Sequence, residues 1–215
     1  IPTFERVAVD RPLVVPRGST QTFRIATLVV APGCVDVVVR ASESGFQVDH
    51  FRARCRFGAA RIDSAGRNGH DQLAGHSIPL DPERDLYGSL LFQTGRFRRV
   101  RGYSLLRATE CIASIATEQR DDWFGAYAPR ELVLGDPGAR DAALHAIQAC
   151  IPHATLIPVA VARIASAAPA AGDWTVHAIE RERRGDRFVY DLEIAAGGSV
   201  FERWEGLELK AMAAA

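Results

Sequence analysis

The sequence lacks the features that direct a chain to a membrane or to a nucleic acid. No apolar run approaches the ~18–20 residues that a membrane-spanning helix needs, and no signal peptide opens the chain. The 26 basic residues balance the 26 acidic ones, so no net field favours an anionic partner. No glycine-rich dinucleotide loop, Walker sequence or GxSxG elbow occurs. These absences predict a cytoplasmic globular protein that contacts neither a membrane nor a nucleic acid.

Metal-binding patterns are also missing. The cysteines stand singly, without the CxxC spacing of a zinc site or a redox pair; they are Cys34, Cys55, Cys111 and Cys150. We therefore expect free, partly buried thiols in a reducing compartment. The isolated histidines lack the spacing of a metal triad, so no metal is predicted; they are His50, His153 and His177.

Length and composition allow one sizeable core or two small ones, since the 215 residues are 47% hydrophobic and 24% charged. Arginine greatly outnumbers lysine, which is typical of a GC-rich bacterial genome. The chain opens on strand-like IPTFERVAVDRPLVV without a methionine and closes on KAMAAA. We interpret it as a segment of a larger polypeptide.

The first quarter of the chain is dominated by β-branched residues. FERVAVD, TQTFRIATLVV, CVDVVVRAS and FQVDHFRARCRF are separated by PRGS, APG and SESG, which are typical of turns. Val37 and Val39 alternate with Asp36 and Arg40, as expected for an antiparallel sheet with one covered face. Residues 1–57 are therefore predicted to form four strands. Residues 58–84, rich in Gly, Asp, Asn, Ser and Pro, are predicted to be a linker.

Residues 85–215 add a helix to strands of the same kind. Short helical DLYGSLLF precedes strand-like FRRVRGYSLLRAT and CIASIAT, and a helix follows at about 138–151, where apolar residues recur at helical spacing. Pro152 ends this helix. Four strand candidates close the chain, and RRGD between the second and third is typical of a hairpin turn. This order predicts an α+β hot-dog fold, a long curved antiparallel sheet around one helix. It is present once in full (85–215) and once without its helix (1–57).

Asp141 and His145 lie four residues apart on the predicted helix and project from one face. One interpretation is a solvated ion pair near a helix N-terminus, where the macrodipole favours an aspartate. The other is a catalytic pair, because a helix this apolar, sheathed by strands, turns its few polar residues toward a cavity. Desolvation in an apolar tunnel suits an aspartate to act as a general acid near neutral pH.

The segment GDPGARDAALHAIQACIPHATLIPVAV resembles the second-half active-site helix of polyketide synthase dehydratase domains, whose pattern is roughly HPxxxDxxxQ/H followed by a strand with a proline. Pro137 matches the proline, Asp141 the catalytic aspartate and His145 the Gln/His position, whereas Asp136 replaces the leading histidine. LYGSLLFQTGRFRRV resembles the family's LFHGPxFQ or YGPxFQ segment, and FERVAVDRPLVVP resembles its first-half strand. In sequence these segments are most similar to the dehydratase domains of iterative enediyne-type polyketide synthases.

This resemblance implies a double hot dog that eliminates water from a 3-hydroxyacyl thioester. The substrate would be carried on the phosphopantetheine of an acyl carrier protein, with no other cofactor. Asp141 would protonate the leaving hydroxyl and His145 would orient it. Substrate contacts are implied for Gln93, Phe97 and Pro158. The implied partners are the acyl carrier protein, other domains of the same synthase and a second copy in a homodimer.

The base of this reaction is not found in the expected place. The family's histidine, in an HxxxGxxxxP motif, lies upstream of the DRPLVV strand, where this chain starts. HDQLAGHSIP begins at His70 and has Pro79 at the right distance, but its glycine, Gly75, is one place late. We therefore interpret His70 and His76 as loop histidines and expect the base upstream.

A cluster of arginines in GRFRRVRGY also allows two interpretations. An edge strand carries charge on its solvent face, which discourages pairing with other chains. Alternatively, Arg96, Arg98 and Arg99 contact the phosphopantetheine phosphate or the acidic carrier protein.

The fold by itself leaves the function open, because one fold hosts many activities. The first alternative to a dehydratase is a non-catalytic double hot dog that binds an acyl chain or scaffolds a synthase. A thioesterase, which would hydrolyse the same thioester, is the second.

Overall fold

The computed structural model describes residues 1–58, 62, 77–118, 122–123, 132–168 and 172–212. In this part of the chain ten strands form one antiparallel sheet with the order β2-β3-β4-β1-β7-β10-β9-β8-β6-β5. Their bounds are β1 Thr3–Val9, β2 Phe23–Ala31, β3 Cys34–Ala41, β4 Asp49–Arg56, β5 Val100–Leu106, β6 Glu110–Ile115, β7 Thr155–Ser166, β8 Trp174–Arg184, β9 Arg187–Ala196 and β10 Ser199–Met212.

One α-helix, α1 (Pro137–His145), continues into a 3-10 turn at Ala146–Cys150. The predicted order of two or three strands, a helix and four strands after the linker is confirmed, with two strands before the helix among the described residues, and so are the four strands before the linker. Among the described residues no α-helix accompanies β1–β4, which carry only a 3-10 turn at Ser42–Ser44. The hot-dog fold predicted from the element order is therefore the fold of this chain, although the domain limits at 57 and 84 stay a prediction.

The segment predicted to be helical before β5 differs from the expectation. It forms a single π-helical turn at Pro82–Leu86 instead of a helix over DLYGSLLF. The turn begins early because the side chain of Asp81 accepts a hydrogen bond from the backbone N–H of Glu83 (3.0 Å). It ends before Gly88, whose φ of +88° leaves the helical region.

The first-half sheet, β1–β4, is apolar on one face and charged on the other. Cross-strand ion pairs cover the charged face, including Arg54–Asp36 and Arg52–Asp10, both with a nitrogen–oxygen distance of 2.7 Å. Hydrogen bonds from these arginines lower the pKa of both aspartates below the ordinary value. On the other face Ile25 and Val29 are 71% and 72% exposed, and no described element covers them.

The second-half sheet closes around α1. The side chains of α1 that enter the core are small, namely Ala139, Ala142 and Ala143, and the following turn adds Ala146 and the larger Ile147. The buried phenol of Tyr103 in β5 donates a hydrogen bond to the carbonyl of Ala146 (2.9 Å). All four cysteines are buried and free, which confirms the interpretation as unpaired thiols. Among the described residues, no helix has the length and apolarity to cross a membrane.

Gln148 joins the end of the helical segment to the start of β7. Its buried side-chain amide donates to the carbonyls of Ile151 (2.8 Å) and Ala154 (2.6 Å) and accepts from the N–H of Leu156 (2.8 Å). The single side chain therefore satisfies three main-chain groups where a helix must turn directly into a strand.

We predict that Gln148→Leu lowers the free energy of unfolding by about 2–4 kcal/mol, because it leaves buried main-chain groups without partners. Chemical denaturation measures the change. Gln47→Leu is the control, since the exposed Gln47 makes only one long contact, 3.4 Å to the carbonyl of Gly45. A loss no larger than in the control would contradict the prediction.

Candidate active site

A cavity of about 420 Å³ lies between α1 and the strands where the two halves of the sheet meet. There β1 pairs with β7, from Phe4 opposite Ile164 to Ala8 opposite Ala160. The lining is almost entirely apolar and comprises Phe4, Val7, Val9, Phe51, Phe97, Leu134, Pro137, Arg140, Asp141, Leu144, Pro158, Ala160, Val161, Ile164 and Trp204. Three residues predicted from the sequence, Asp141, Phe97 and Pro158, thus line one cavity.

Asp141 and His145 form a close pair at the wall of this cavity. The Nδ1 of His145 lies 2.9 Å from the main-chain carbonyl of Asp141 and 3.2 Å from its Oδ2. Both atoms are acceptors, so Nδ1 carries the proton. Oδ2 is buried, whereas the Asp141 side chain as a whole is 31% exposed. The placement favours the cavity-facing interpretation of the pair over a solvated surface pair.

The first turn of α1 is fixed by Asp136, which stands where the resembled HPxxxDxxxQ/H pattern has its histidine. The buried carboxylate of Asp136 accepts hydrogen bonds from the N–H groups of Gly138 (2.9 Å) and Ala139 (3.3 Å). Its other oxygen accepts from the N–H of Glu118 (2.7 Å). Asp136 is therefore an N-cap that also ties the loop after β6 to the helix.

Gly138 allows the helix to approach the loop before β5. A Cβ atom at this position would lie 2.5 Å from the carbonyl oxygen of Arg96 and 3.2 Å from the Nε of Arg99. The close approach places Phe97, in the 3-10 turn Gly95–Phe97, against the cavity.

The arginines predicted to contact a carrier protein make internal ion pairs. The Nη2 of Arg99 pairs with Glu118, and the Nε of Arg96 lies 3.1 Å from the same carboxylate. Arg98 pairs with Glu83 at 2.7 Å. Contact with a carrier protein stays a prediction for all three, and Arg99, only 9% exposed, offers little surface for it.

Pro158 occupies a place in β7 that suits a residue without an N–H group. The register with β10 shifts between Glu208, opposite Ala160, and Leu209, opposite Pro158. One extra residue of β7 therefore forms a β-bulge, a position where proline is tolerated inside a sheet.

Gln93 is not among the residues that line the cavity. It is 9% exposed, and both polar atoms of its amide lack a hydrogen-bond partner. Its predicted contact with substrate stays a prediction.

No histidine is among the residues that line the cavity in the described part of the chain. His50 is buried on the opposite face of β4 from the cavity-lining Phe51, because successive strand residues face opposite sides. His177 pairs with Glu110 at 2.9 Å. His70 and His76 lie outside the described residues. The ranges that the structure describes contain no cluster of three metal-ligating side chains.

Sequence reasoning missed the buried partner of Arg140. Its guanidinium lies 2.5 Å from a carboxylate oxygen of Glu202, a residue with no exposed surface. The segment FERWEGLEL contained a signal for a buried glutamate, because Glu202 and Trp204 are two residues apart and therefore lie on the same face of β10.

Comparison with protein-family models identifies one family. The sequence profile of a family described as "Polyketide synthase dehydratase N-terminal domain" matches residues 64–215. A sequence search of curated proteins finds no match.

Several solved structures resemble the whole chain. The dehydratase domain from the CurJ module of curacin polyketide synthase is 12% identical with a TM-score of 0.76, over 98% of this chain and 75% of that one. The dehydratase domain of RzxB from Pseudomonas fluorescens is 16% identical with a TM-score of 0.68, over 97% of this chain and 75% of that one. A trans-acyltransferase polyketide synthase enoyl-isomerase is 14% identical with a TM-score of 0.72, over 97% of this chain and 80% of that one. At these identities the likeness shows the fold.

We predict that Gly138→Ala lowers the free energy of unfolding by about 1–3 kcal/mol, because the added methyl group overpacks the contact with the Arg96 carbonyl. Chemical denaturation measures the change. Gly102→Ala is the matched control, since a Cβ there meets nothing within 4 Å. Equal effects of the two substitutions would contradict the prediction.

The ion pairs around Glu118 predict a pH dependence of stability. Hydrogen bonds from Arg99 and then Arg96 hold the pKa of Glu118 below its ordinary value, against an opposing effect of desolvation. A carboxyl with a lowered folded-state pKa adds stability above its unfolded-state pKa and loses it as the pH falls through the folded-state pKa. Glu118→Gln should therefore destabilise the protein at neutral pH. The difference from wild type should shrink on acidification, and thermal unfolding at a series of pH values measures it. A difference that stays constant with pH would refute this assignment.

Proposed function

Because this chain belongs to the polyketide synthase dehydratase family, we propose that it eliminates water from a 3-hydroxyacyl thioester carried by an acyl carrier protein. The observation that carries the proposal is the position of Asp141. Its carboxyl group lies at the wall of an apolar cavity, with the buried Oδ2 3.2 Å from the Nδ1 of His145. The enediyne type of synthase stays a prediction from the sequence.

The elimination needs an acid and a base. The base removes the proton on C2, the electron pair forms the C2–C3 double bond, and the C3–O bond breaks. The leaving hydroxyl takes a proton from the acid and departs as water, since hydroxide is a poor leaving group.

We assign the acid to Asp141. The Nδ1–H of His145 donates to the main-chain carbonyl of Asp141 (2.9 Å), and Oδ2 lies 3.2 Å from the same nitrogen with no hydrogen-bond partner among the described residues. The carboxyl group is therefore available to carry the proton and donate it to the substrate. His145 in turn packs edge-on against Phe92, with ring centroids 5.6 Å apart. His145 is therefore a positioning residue in this mechanism.

The base is proposed to come from a histidine upstream of this chain, because the described cavity lining contains none. The apolar face of β2 and β3 supports this proposal. Phe51 lines the cavity, Val39 lies opposite Phe51, and Ile25 lies opposite Val39. The cavity wall thus continues across the sheet to the exposed Ile25. A segment that covered this face would reach the cavity at Phe51, which lines it together with Asp141.

The substrate proposal follows from the cavity lining. Aromatic and aliphatic side chains suit the hydrocarbon part of an acyl chain, and Phe97 and Pro158 are placed to contact it. Phosphopantetheine enters this proposal only as the carrier of the substrate. The implied partners are the carrier protein and the neighbouring domains of a synthase, with a homodimer as a further expectation.

A non-catalytic acyl-binding domain is the second candidate. The observation that favours it is the cavity lining itself, which offers an acid and apolar surface but no base among the described residues. Such a domain would bind an acyl thioester and return it unchanged.

We predict that Asp141→Asn lowers the rate of enoyl formation from a 3-hydroxyacyl pantetheine thioester by about 10²–10⁴-fold, because the amide cannot supply the proton. The assay compares the 215-residue chain alone with the same chain joined to the segment that precedes it. Asp186→Asn, in the exposed β8–β9 turn, is the control and should keep full activity.

Each outcome separates the candidates. Enoyl product only from the extended protein would support an upstream base, and product from the chain alone would place a base within these residues. Binding without turnover by the extended protein would favour the acyl-binding domain. Release of a free acid would identify a thioesterase, and movement of an existing double bond an isomerase.

A further inference from the structure

A buried network of charges joins α1 to β10 beside the cavity. Glu202 has no exposed surface, and the Nη1 of Arg140 lies 2.6 Å from its Oε1 and 2.5 Å from its Oε2. The same carboxylate accepts hydrogen bonds from the Oγ of Ser166 (2.6 Å) and the Nε1 of Trp204 (2.5 Å). The Nε of Arg140 donates to the carbonyl of Leu134, before the helix. One guanidinium therefore connects the helix, its preceding loop and a central strand.

Stability alone is a weak reason for this network. Burying an ion pair costs desolvation free energy, and well-packed apolar side chains of similar volume are often as stabilising or more so. On this face of the sheet Glu202 lies opposite the buried Ile194 in β9 and the small Ser166 in β7. A carboxylate at this position needs another explanation, and the residue that it binds immediately precedes Asp141.

The packing of α1 suggests that explanation. The helix has only nine residues, and all of its buried residues are glycine or alanine. They are Gly138, Ala139, Ala142 and Ala143. Such small side chains form shallow ridges, which define the rotation of a helix about its axis less well than large interlocking ones. The guanidinium of Arg140 supplies that definition, because its donors lie in one plane and bind three different groups: Nη1 the carboxylate of Glu202, Nη2 the Oγ of Ser166 and Nε the carbonyl of Leu134.

We propose that the Arg140–Glu202 pair is a positioning element that sets the rotation of α1 and so directs the Asp141 carboxyl group into the cavity. This inference rests on the proposed function for its consequence in catalysis. A general acid must come within hydrogen-bond distance of the group that it protonates. A displacement of about 1 Å from that position can cost ~10²-fold in rate.

The test replaces both charges at once. The double variant Arg140→Met, Glu202→Met keeps side chains of similar length and leaves no buried charge unpaired, so it is expected to stay folded. Its kcat for water elimination should fall about 10- to 100-fold. The KM should change little, because almost all of the apolar lining that holds the acyl chain is unchanged.

A matched control uses a second arginine–glutamate pair on β10. Arg163 in β7 and Glu205 in β10 lie 2.9 Å apart on the exposed side of the sheet. Arg163→Met, Glu205→Met should leave kcat and KM at wild-type values. Arg140→Lys adds a graded test, because lysine keeps the charge but loses the planar fork. Its kcat should lie between those of the wild type and the double variant.

A readout that does not depend on activity keeps the two proposals apart. The ¹H signal of the His145 ring, assigned with a His145→Gln variant, reports its edge-on contact with the ring of Phe92, which lies outside α1. It should shift in the double variant and not in the control. If the wild-type protein eliminates no water, the proposed function fails and this signal still decides the positioning role.

Three results would overturn the inference. A folded double variant with wild-type kcat would show that the pair does not position the acid. An unshifted His145 signal in a folded double variant would show the same. Loss of the cooperative unfolding transition would make the pair a determinant of stability instead.

Discussion

The pairing of β1 with β7 is the interaction on which the rest of this structure depends. It joins four strands from one end of the chain to six from the other, so that a single sheet of ten strands results. Both strands contribute side chains to the cavity, and α1 closes it from above the junction. Without this ladder Asp141 would face solvent, because neither half of the sheet encloses the cavity by itself.

The second constraint is the smallness of the helix that the sheet surrounds. Alanines allow α1 to approach the strands closely, but they provide little shape for interlocking. Two polar contacts and one close approach of the backbone take over that task. Asp136 holds the first turn, Gly138 admits the carbonyl of Arg96, and Arg140 reaches Glu202. These contacts lie around Asp141, so the residues that hold the helix also place its carboxyl group.

Burial and charge distinguish residues that look alike in the sequence. The arginine cluster before β5 reads as a solvent-exposed or partner-binding surface, yet Arg96 and Arg99 share the carboxylate of Glu118 beneath the helix N-terminus. Glu118 is separated from both in the chain, and its position after β6 becomes meaningful only when β5 and β6 pair. Glu202 is another such residue, since its partner Arg140 lies 62 residues away.

The sequence by itself determined the elements and the candidate acid. Alternation of β-branched residues, turn signals and helical spacing depend on neighbours within a few positions, and the strands, α1 and the 185–186 turn follow from them. The i, i+4 spacing of Asp141 and His145 likewise needed only one helix. Tertiary structure decided what these residues face. The cavity, the bulge at Pro158, the buried Glu202 and the uncovered face of β2 arise from pairings between distant segments. Local sequence does not encode them, because hydrogen bonds and burial there depend on the partner strand.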